Sequence, residues 1–349
     1  TAGMVGTAIW VLISIGYFLY KHGLVRNVFC CSTDFQKLMS TQVFIVTDKP
    51  KDANLIAISF RGTEPFDADD WMTDFDFSWY EIPGLGRIHI GFLEALGLGN
   101  RADTVTFHKY ILEKNMAFDQ LNVADNSIHL SQSGEDASWV PPEMVKKSAY
   151  YLVRRKLKTL LAEHKNAKFL ITGHSLGGAL AVLFPAMLAL HEETQMLQRL
   201  LAVYTFGQPR IGNLQLGKYM EAHLNQPVPR FFRVVYCNDL VPRLPFDDKN
   251  FLYKHFGSCF YYNSFYEKRE LQEAPDKNFF GMKYILFLHL NAIWEVVRGF
   301  AMGCLYGPEY KEGWLFILFR LIGVALPGIP AHCTTNYINS VRLGGYRTL

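Results

Sequence analysis

Cysteine is scarce and scattered in this sequence. Cys30, Cys31, Cys237, Cys259, Cys304 and Cys333 are the six thiols in 349 residues, and their spacing matches neither a zinc site nor a disulfide framework. They are expected to be reduced, in a protein facing the cytosol. The adjacent pair Cys30 and Cys31 reads as two idle or buried thiols ahead of an acylation site. Charge of either sign is also weak. The net charge of +3 and the pI of about 8.4 exclude a nucleic-acid binder of the usual basic kind. No acidic run carries the glycine and spacing of an EF-hand loop, and no motif calls for a metal or a cofactor. The chain begins at Thr1 without methionine, which reads as a fragment or a processed form.

Apolar and aromatic residues, by contrast, are abundant at 50% and 15%, and the excess is local. The chain centres on the stretch 168–190. Phe169 to Thr172 is apolar and strand-like, Gly173-His-Ser-Leu-Gly-Gly178 is a tight turn, and Ala179 to Leu190 is an apolar run of helix formers. Strand, Gly-x-Ser-x-Gly turn and helix in that order define a nucleophile elbow. A serine hydroxyl is a weak nucleophile that needs a neighbouring base, so it must project from a sharp, strained turn to meet both base and substrate. Side chains two residues either side would collide with strand and helix, which suits Gly173 and Gly177. The following helix aims its N-terminus at the site, where the Leu176 N–H can bind a developing oxyanion.

Thr1 to Tyr20 is uncharged and just long enough to span a bilayer. It reads as a membrane-embedded helix, with a buried core helix and a signal sequence as alternatives. Gln42–Thr47 and Asn54–Phe60 read as strands, the second running into Arg61-Gly62-Thr63. Thr63 stands where a second oxyanion donor is wanted, although a plain strand-ending turn fits as well. Residues 64–81 alternate acids with large aromatics. That block suits a lid with Phe66, Trp71 and Phe75 over the site, or a solvated amphipathic loop. Thr104 to Pro142 reads as a polar surface insertion. Ser148 to His164 is a helix with a basic, solvated face, Leu200–Phe206 and Arg230–Tyr236 are strands, and a helix runs from Leu214 to Leu224. Strands alternating with helices predict a mostly parallel sheet wrapped by helices.

An elbow serine predicts an acid just past a later strand and then a histidine. Asp239 directly follows the strand Arg230–Tyr236, whereas Asp247 and Asp248 lie beyond two prolines and look solvated. The acid would hold the imidazole in one tautomer and stabilise it when charged. His255, His289 and His332 all follow. His289 sits in an apolar helical run. His332, in Gly328-Ile-Pro-Ala-His-Cys-Thr-Thr-Asn-Tyr337, occupies a late loop free to lean onto the serine and is preferred.

Phe60-Arg-Gly-Thr63, Gly173-His-Ser-Leu-Gly-Gly178, Tyr204-Thr-Phe-Gly-Gln-Pro-Arg-Ile-Gly-Asn213, Asn238-Asp-Leu-Val-Pro-Arg-Leu-Pro245 and the late His332 together resemble the class 3 (fungal-type) lipase family. The block after Phe60 and the apolar flanks look closer still to plant oil-body triacylglycerol lipases. The resemblance implies an α/β-hydrolase fold and a triad of Ser175, Asp239 and His332. It also implies an oxyanion hole of Thr63 and Leu176, and a lid at 64–82. The secreted fungal members lack long apolar segments, so their soluble behaviour does not transfer. The expected organisation is an apolar membrane or lipid-droplet segment at 1–30 and a lipase domain at 31–349, with a hairpin-like apolar insertion at 281–330. His332 must return to Ser175, so a single bilayer crossing between Asp239 and His332 is excluded. A hairpin dipping into a monolayer satisfies the geometry, as does packing on the domain. The expected activity is hydrolysis of triacylglycerol acyl esters at a lipid-droplet or membrane surface, facing the cytosol. The rivals are a phospholipase or galactolipase and a non-catalytic lipid-droplet protein. The expected partners are a lipid ester substrate and the lipid surface, with no nucleic acid; no oligomeric state follows from the sequence.

Overall fold

The computed structural model describes residues 29–36, 39–62, 77–112, 148–225 and 227–344. Its first strands are β1 (Phe29–Gln36), β2 (Met39–Thr47), β3 (Leu55–Phe60), β4 (Trp79–Ile82) and β5 (Gly86–His89). Helices α1 (Ile90–Ala95), α2 (Val105–Leu112) and α3 (Ala149–Glu163) follow, then β6 (Lys168–His174), α4 (Leu176–Leu190) and the single turn α5 (Thr194–Leu197). Next come β7 (Leu200–Phe206), β8 (Gly212–Asn213), α6 (Leu214–Leu224), β9 (Phe231–Tyr236), β10 (Tyr253–Lys254), β11 (Ser258–Tyr262) and β12 (Lys268–Leu271). The chain closes with α7 (Ile285–Tyr306), α8 (Trp314–Ala325) and α9 (Thr334–Gly344).

One sheet runs in the order β1-β2-β3-β6-β7-β9-β11-β12. Strands β3, β6, β7, β9 and β11 are mutually parallel, and antiparallel pairings close both edges. Parallel neighbours require long crossovers, and α3, α4 and α6 lie within them. Strand side chains alternate between faces, which divides the core in two. Ile56, Ile58 and Phe60 of β3 and Phe169 and Ile171 of β6 join the helices α3 and α4 on one face. Ala57 and Leu170 join Tyr236, Met302 and Tyr337 on the other. Helix α4 is buried almost throughout, which explains its unbroken apolar run. Each large side chain it removes from water contributes about 1.5–3 kcal/mol.

Register positions the site. Gly173 pairs with Phe60 and with Thr205, His174 with Phe206, and Phe206 with Val234. The carboxyl ends of β3, β6, β7 and β9 therefore lie side by side, and the residues that follow them share one edge, where parallel α/β sheets place their sites.

Three segments depart from the sequence reading. Thr104 to Pro142 is not wholly a surface insertion: Val105–Leu112 is helix α2, with Phe107, Tyr110 and Ile111 buried in the main core. Those three stand at i, i+3 and i+4, a helical stripe that the intervening polar residues obscure. The remainder of that insertion lies outside the described residues. Strand β1 begins at Phe29, inside the stretch assigned to the apolar N-terminal segment, and 1–28 lie outside the described residues. Asp247 is not solvated, because its carboxylate is 11% exposed and pairs with Lys254 and with Lys277 at 2.8 Å.

Candidate active site

Strand β6 ends at His174 and α4 starts at Leu176, leaving Ser175 alone between them. Its backbone sits at φ 57° and ψ −130°, a conformation that costs a non-glycine residue roughly 1–3 kcal/mol. Its neighbours hold it there. The Ser175 N–H donates to the Phe206 carbonyl at 2.9 Å, and the Ser175 carbonyl accepts from the Gly178 N–H at 2.8 Å. The flanking glycines are sterically required. A Cβ on Gly173 would lie 2.1 Å from the Gly177 carbonyl oxygen, and one on Gly177 would lie 2.2 Å from that of Phe60. The loop leaving β3 crosses the same turn, for a Cβ on Gly62 would lie 2.5 Å from the His174 carbonyl and 3.2 Å from Ser175 Cβ.

Asp239 follows β9 and is fully buried. Its Oδ1 accepts from the Val241 N–H at 2.9 Å. Its Oδ2 accepts from His332 Nδ1 at 2.8 Å and from the Tyr337 hydroxyl. The Arg243 guanidinium donates to the Asp239 carbonyl, to that of Cys237 at 3.0 Å and to that of Pro275 at 2.8 Å, bracing the loop. Burial and the adjacent carboxylate push the Tyr337 hydroxyl well above its ordinary pKa, so it stays a donor.

His332 ends the 3₁₀ turn Pro330–His332 and is buried. A carboxylate only accepts, so His332 Nδ1 carries the proton of the neutral ring and Nε2 presents a lone pair. That Nε2 is buried and meets no hydrogen-bond partner among the described residues. Ser175 and His332 share no hydrogen bond here; such contacts commonly tighten only with substrate bound. Both nevertheless abut Phe206 and Gly207: Ser175 through its N–H, and the His332 ring through Gly207, where a Cβ would lie 2.9 Å from Cε1 and Nδ1. The His174 ring stacks on that of His332 with centroids 4.5 Å apart, and His174 Nε2 donates to the His332 carbonyl at 2.9 Å. Burial, then the facing His332, hold His174 well below its ordinary pKa. It is neutral and committed, and does not compete as a base.

The structure thus brings Ser175, Leu176, Asp239 and His332 to one edge of the sheet. Thr63, Phe66, Trp71 and Phe75 lie outside the described residues. His255 Nε2 donates to the Pro242 carbonyl and His289 bonds the Ile285 carbonyl of its own helix; neither reaches Asp239. Sequence reasoning missed Tyr337, Gly207, His174 and Arg243. The sequence offers one signal for them: His174 and Arg243 lie inside the motifs quoted for the serine and the acid, Gly207 inside Tyr204–Asn213, and Tyr337 at the end of the stretch quoted for His332.

A family model for the class 3 lipases matches residues 57–249, more than half of the chain, and the chain belongs to that family. Its sheet and crossing helices are the α/β-hydrolase arrangement. It is 60% identical over 325 residues to Triacylglycerol lipase OBL1 of Arabidopsis thaliana, covering 93% of this chain and 60% of that protein. It is 48% identical over 312 residues to Triacylglycerol lipase OBL1 of Ricinus communis, covering 89% and 57% respectively. The chain therefore spans about 60% of the length of these relatives. Among solved structures it is similar to a lipase from Rhizopus microsporus var. chinensis, at 23% identity and a TM-score of 0.44, over 74% of this chain and 71% of that one.

Proposed function

We propose that this protein is a serine lipase that hydrolyses triacylglycerol acyl esters at a lipid-droplet surface. The observation that carries the reading is the 2.8 Å hydrogen bond from His332 Nδ1 to buried Asp239, beside a serine held at φ 57°. In this reading Ser175 Oγ attacks the ester carbonyl and its proton passes to His332 Nε2. Asp239 stabilises the imidazolium. The oxyanion takes hydrogen bonds from the Leu176 N–H and from Thr63. Collapse breaks the ester bond, and His332 returns the proton to the leaving glycerol oxygen. Water then hydrolyses the acyl-enzyme by the same steps. The family resemblance assigns a lid to residues 64–82 and gives Phe66, Trp71 and Phe75 the acyl chain as partner; within that stretch, Trp79–Ile82 is strand β4.

The substrate class rests on the printed names of the relatives and on an apolar surface. Helices α7 and α8 pack against each other as a hairpin within 281–330. They expose Phe287, Leu290, Val297, Phe300, Trp314 and Leu315. Met282–Tyr306 is by length and composition apolar enough to cross a membrane, yet a third of its apolar window is buried in the domain. A hairpin resting in a monolayer fits these facts.

The test is hydrolysis of emulsified triacylglycerol beside phospholipid vesicles, native protein against Ser175→Ala. Loss of triacylglycerol hydrolysis by a factor on the order of 10⁴–10⁶, with lipid binding retained, supports the reading. Serine-dependent hydrolysis of phospholipid alone would move the substrate to membrane polar lipids. Undiminished activity in Ser175→Ala would refute the triad.

A further inference from the structure

The apolar hairpin has an inner face as well as an outer one, and the inner face is ionic. Arg320 of α8 is 1% exposed. Its Nε and Nη2 donate to the two carboxylate oxygens of Glu312, at 2.6 and 2.7 Å. Its Nη1 donates to Glu295 of α7 at 2.9 Å, and Nη2 also donates to Asn336 Oδ1 at 2.9 Å. A buried guanidinium is tolerable only when its donors are so filled. Anchoring a hairpin in lipid does not require this arrangement, since outward apolar side chains suffice.

The cluster ends on the acid and base. Asn336, wholly buried in the first turn of α9, donates from Nδ2 to the Pro330 carbonyl at 2.8 Å, two residues before His332. Glu295 accepts from the Tyr236 hydroxyl at 2.9 Å, at the end of the strand that leads into Asp239. Helix α8 also presses on the histidine turn directly, because a Cβ on Gly323 would lie 2.5 Å from Pro330 Cγ. One hairpin helix thus holds the strand that leads into Asp239, the other holds the turn bearing His332, and the Glu295–Arg320 pair ties them together.

We propose that the hairpin is part of the catalytic apparatus: Glu295, Arg320 and Asn336 form a buried relay that positions His332 and Asp239 against Ser175. They are positioning residues and touch no substrate. The inference rests on the triad reading above. Asn336 is the link to test, since it can be changed without stripping Arg320 of both carboxylates. Asn336→Ala removes the donor to Pro330. Asn336→Asp retains an acceptor for Arg320 and removes the donor, but adds a carboxylate beside Glu295 and Glu312; the lost donor is the change it shares with Asn336→Ala.

The experiment uses the full chain and a water-soluble short-chain p-nitrophenyl ester, so that lipid binding does not enter. Active sites are counted by the burst of an organophosphate titrant, and turnover is expressed per site. Both variants are expected to lose roughly 10- to 100-fold in kcat per site, with KM within twofold of native. A residue that serves only stability would lower the number of titratable sites and the Tm but leave kcat per site unchanged, and that result overturns the proposal. A loss in Asn336→Ala that Asn336→Asp restores would also overturn it, because the donor is the element that matters. Ser175→Ala is run alongside. If hydrolysis does not depend on the serine, the triad reading fails and the relay with it. If it does, and both Asn336 variants turn over at the native rate, the relay alone fails.

Discussion

At the scale of single residues, the site is built from side chains that are present and from others that must be absent. Gly207 follows β7 at φ +59°, and a Cβ there would lie 2.9 Å from the His332 ring and 3.0 Å from Asp239 Oδ2. Gly207→Ala incurs roughly 1–2 kcal/mol from the left-handed backbone alone. It also drives the imidazole off its carboxylate. Turnover is expected to fall at least about tenfold at 20 °C, where the variant remains folded; a variant that loses only Tm would argue against the contact. Tyr337 makes a complementary case. Its hydroxyl shares Asp239 Oδ2 with His332, and Tyr337→Phe leaves that buried oxygen one donor short. The substitution also strips the Tyr236 N–H of the hydroxyl it donates to at 3.3 Å; a buried donor that loses its partner costs about 1–3 kcal/mol, so the variant is expected to be less stable by that amount in urea unfolding.

At the scale of elements, the hairpin of α7 and α8 has two faces with separable roles. Its outer side chains make no contribution to the sheet that would explain their exposure: Phe287 is 66% and Leu315 64% exposed. Each large apolar side chain transferred from water contributes about 1.5–3 kcal/mol. The double variant Phe287→Ser and Leu315→Ser is therefore expected to weaken partition onto triacylglycerol emulsions by at least about tenfold. Its hydrolysis of a soluble ester should stay within twofold of native. Flotation assays and soluble-ester kinetics on the same preparation separate the two, and equal partition of variant and native protein would remove the hairpin from lipid docking. The helix α2 shows the opposite case. Its stripe of Phe107, Tyr110 and Ile111 is fully covered by the core.

At the scale of the whole molecule, two neutral imidazoles link stability to pH. His174 is held well below its ordinary pKa by burial and then by His332, and His255 by burial and then by Arg233 and Arg210. Both titrate near 6.5 in an unfolded chain. Below that pH the unfolded state binds more protons than the fold, so stability is complete above about pH 6.5 and declines as pH falls. Each group contributes at most about 1.4 kcal/mol per pH unit. The urea midpoint is expected to drop between pH 7.5 and 5.5, and less steeply in His255→Gln. An unchanged midpoint would show that these rings accept protons within the fold.

What the sequence determined alone is what local rules govern. The glycines around Ser175 are dictated by collisions within a few residues, and Asp239 is marked by its place just past a strand. Strand alternation and the helical run of α4 made the parallel sheet legible. The late histidine was chosen among three by its loop setting and by family resemblance. Tertiary structure decided the rest. Asp239 and His332 lie 93 positions apart, Tyr236 and Glu295 59, and His174 and His332 158. No periodicity links such pairs, because hydrogen bonds across a folded core depend on where whole elements come to rest. For the same reason Glu295 and Arg320 read in sequence as charges interrupting apolar helices. Only packing shows that they face inward, paired with each other, beside the turn that carries His332 and the strand that leads into Asp239.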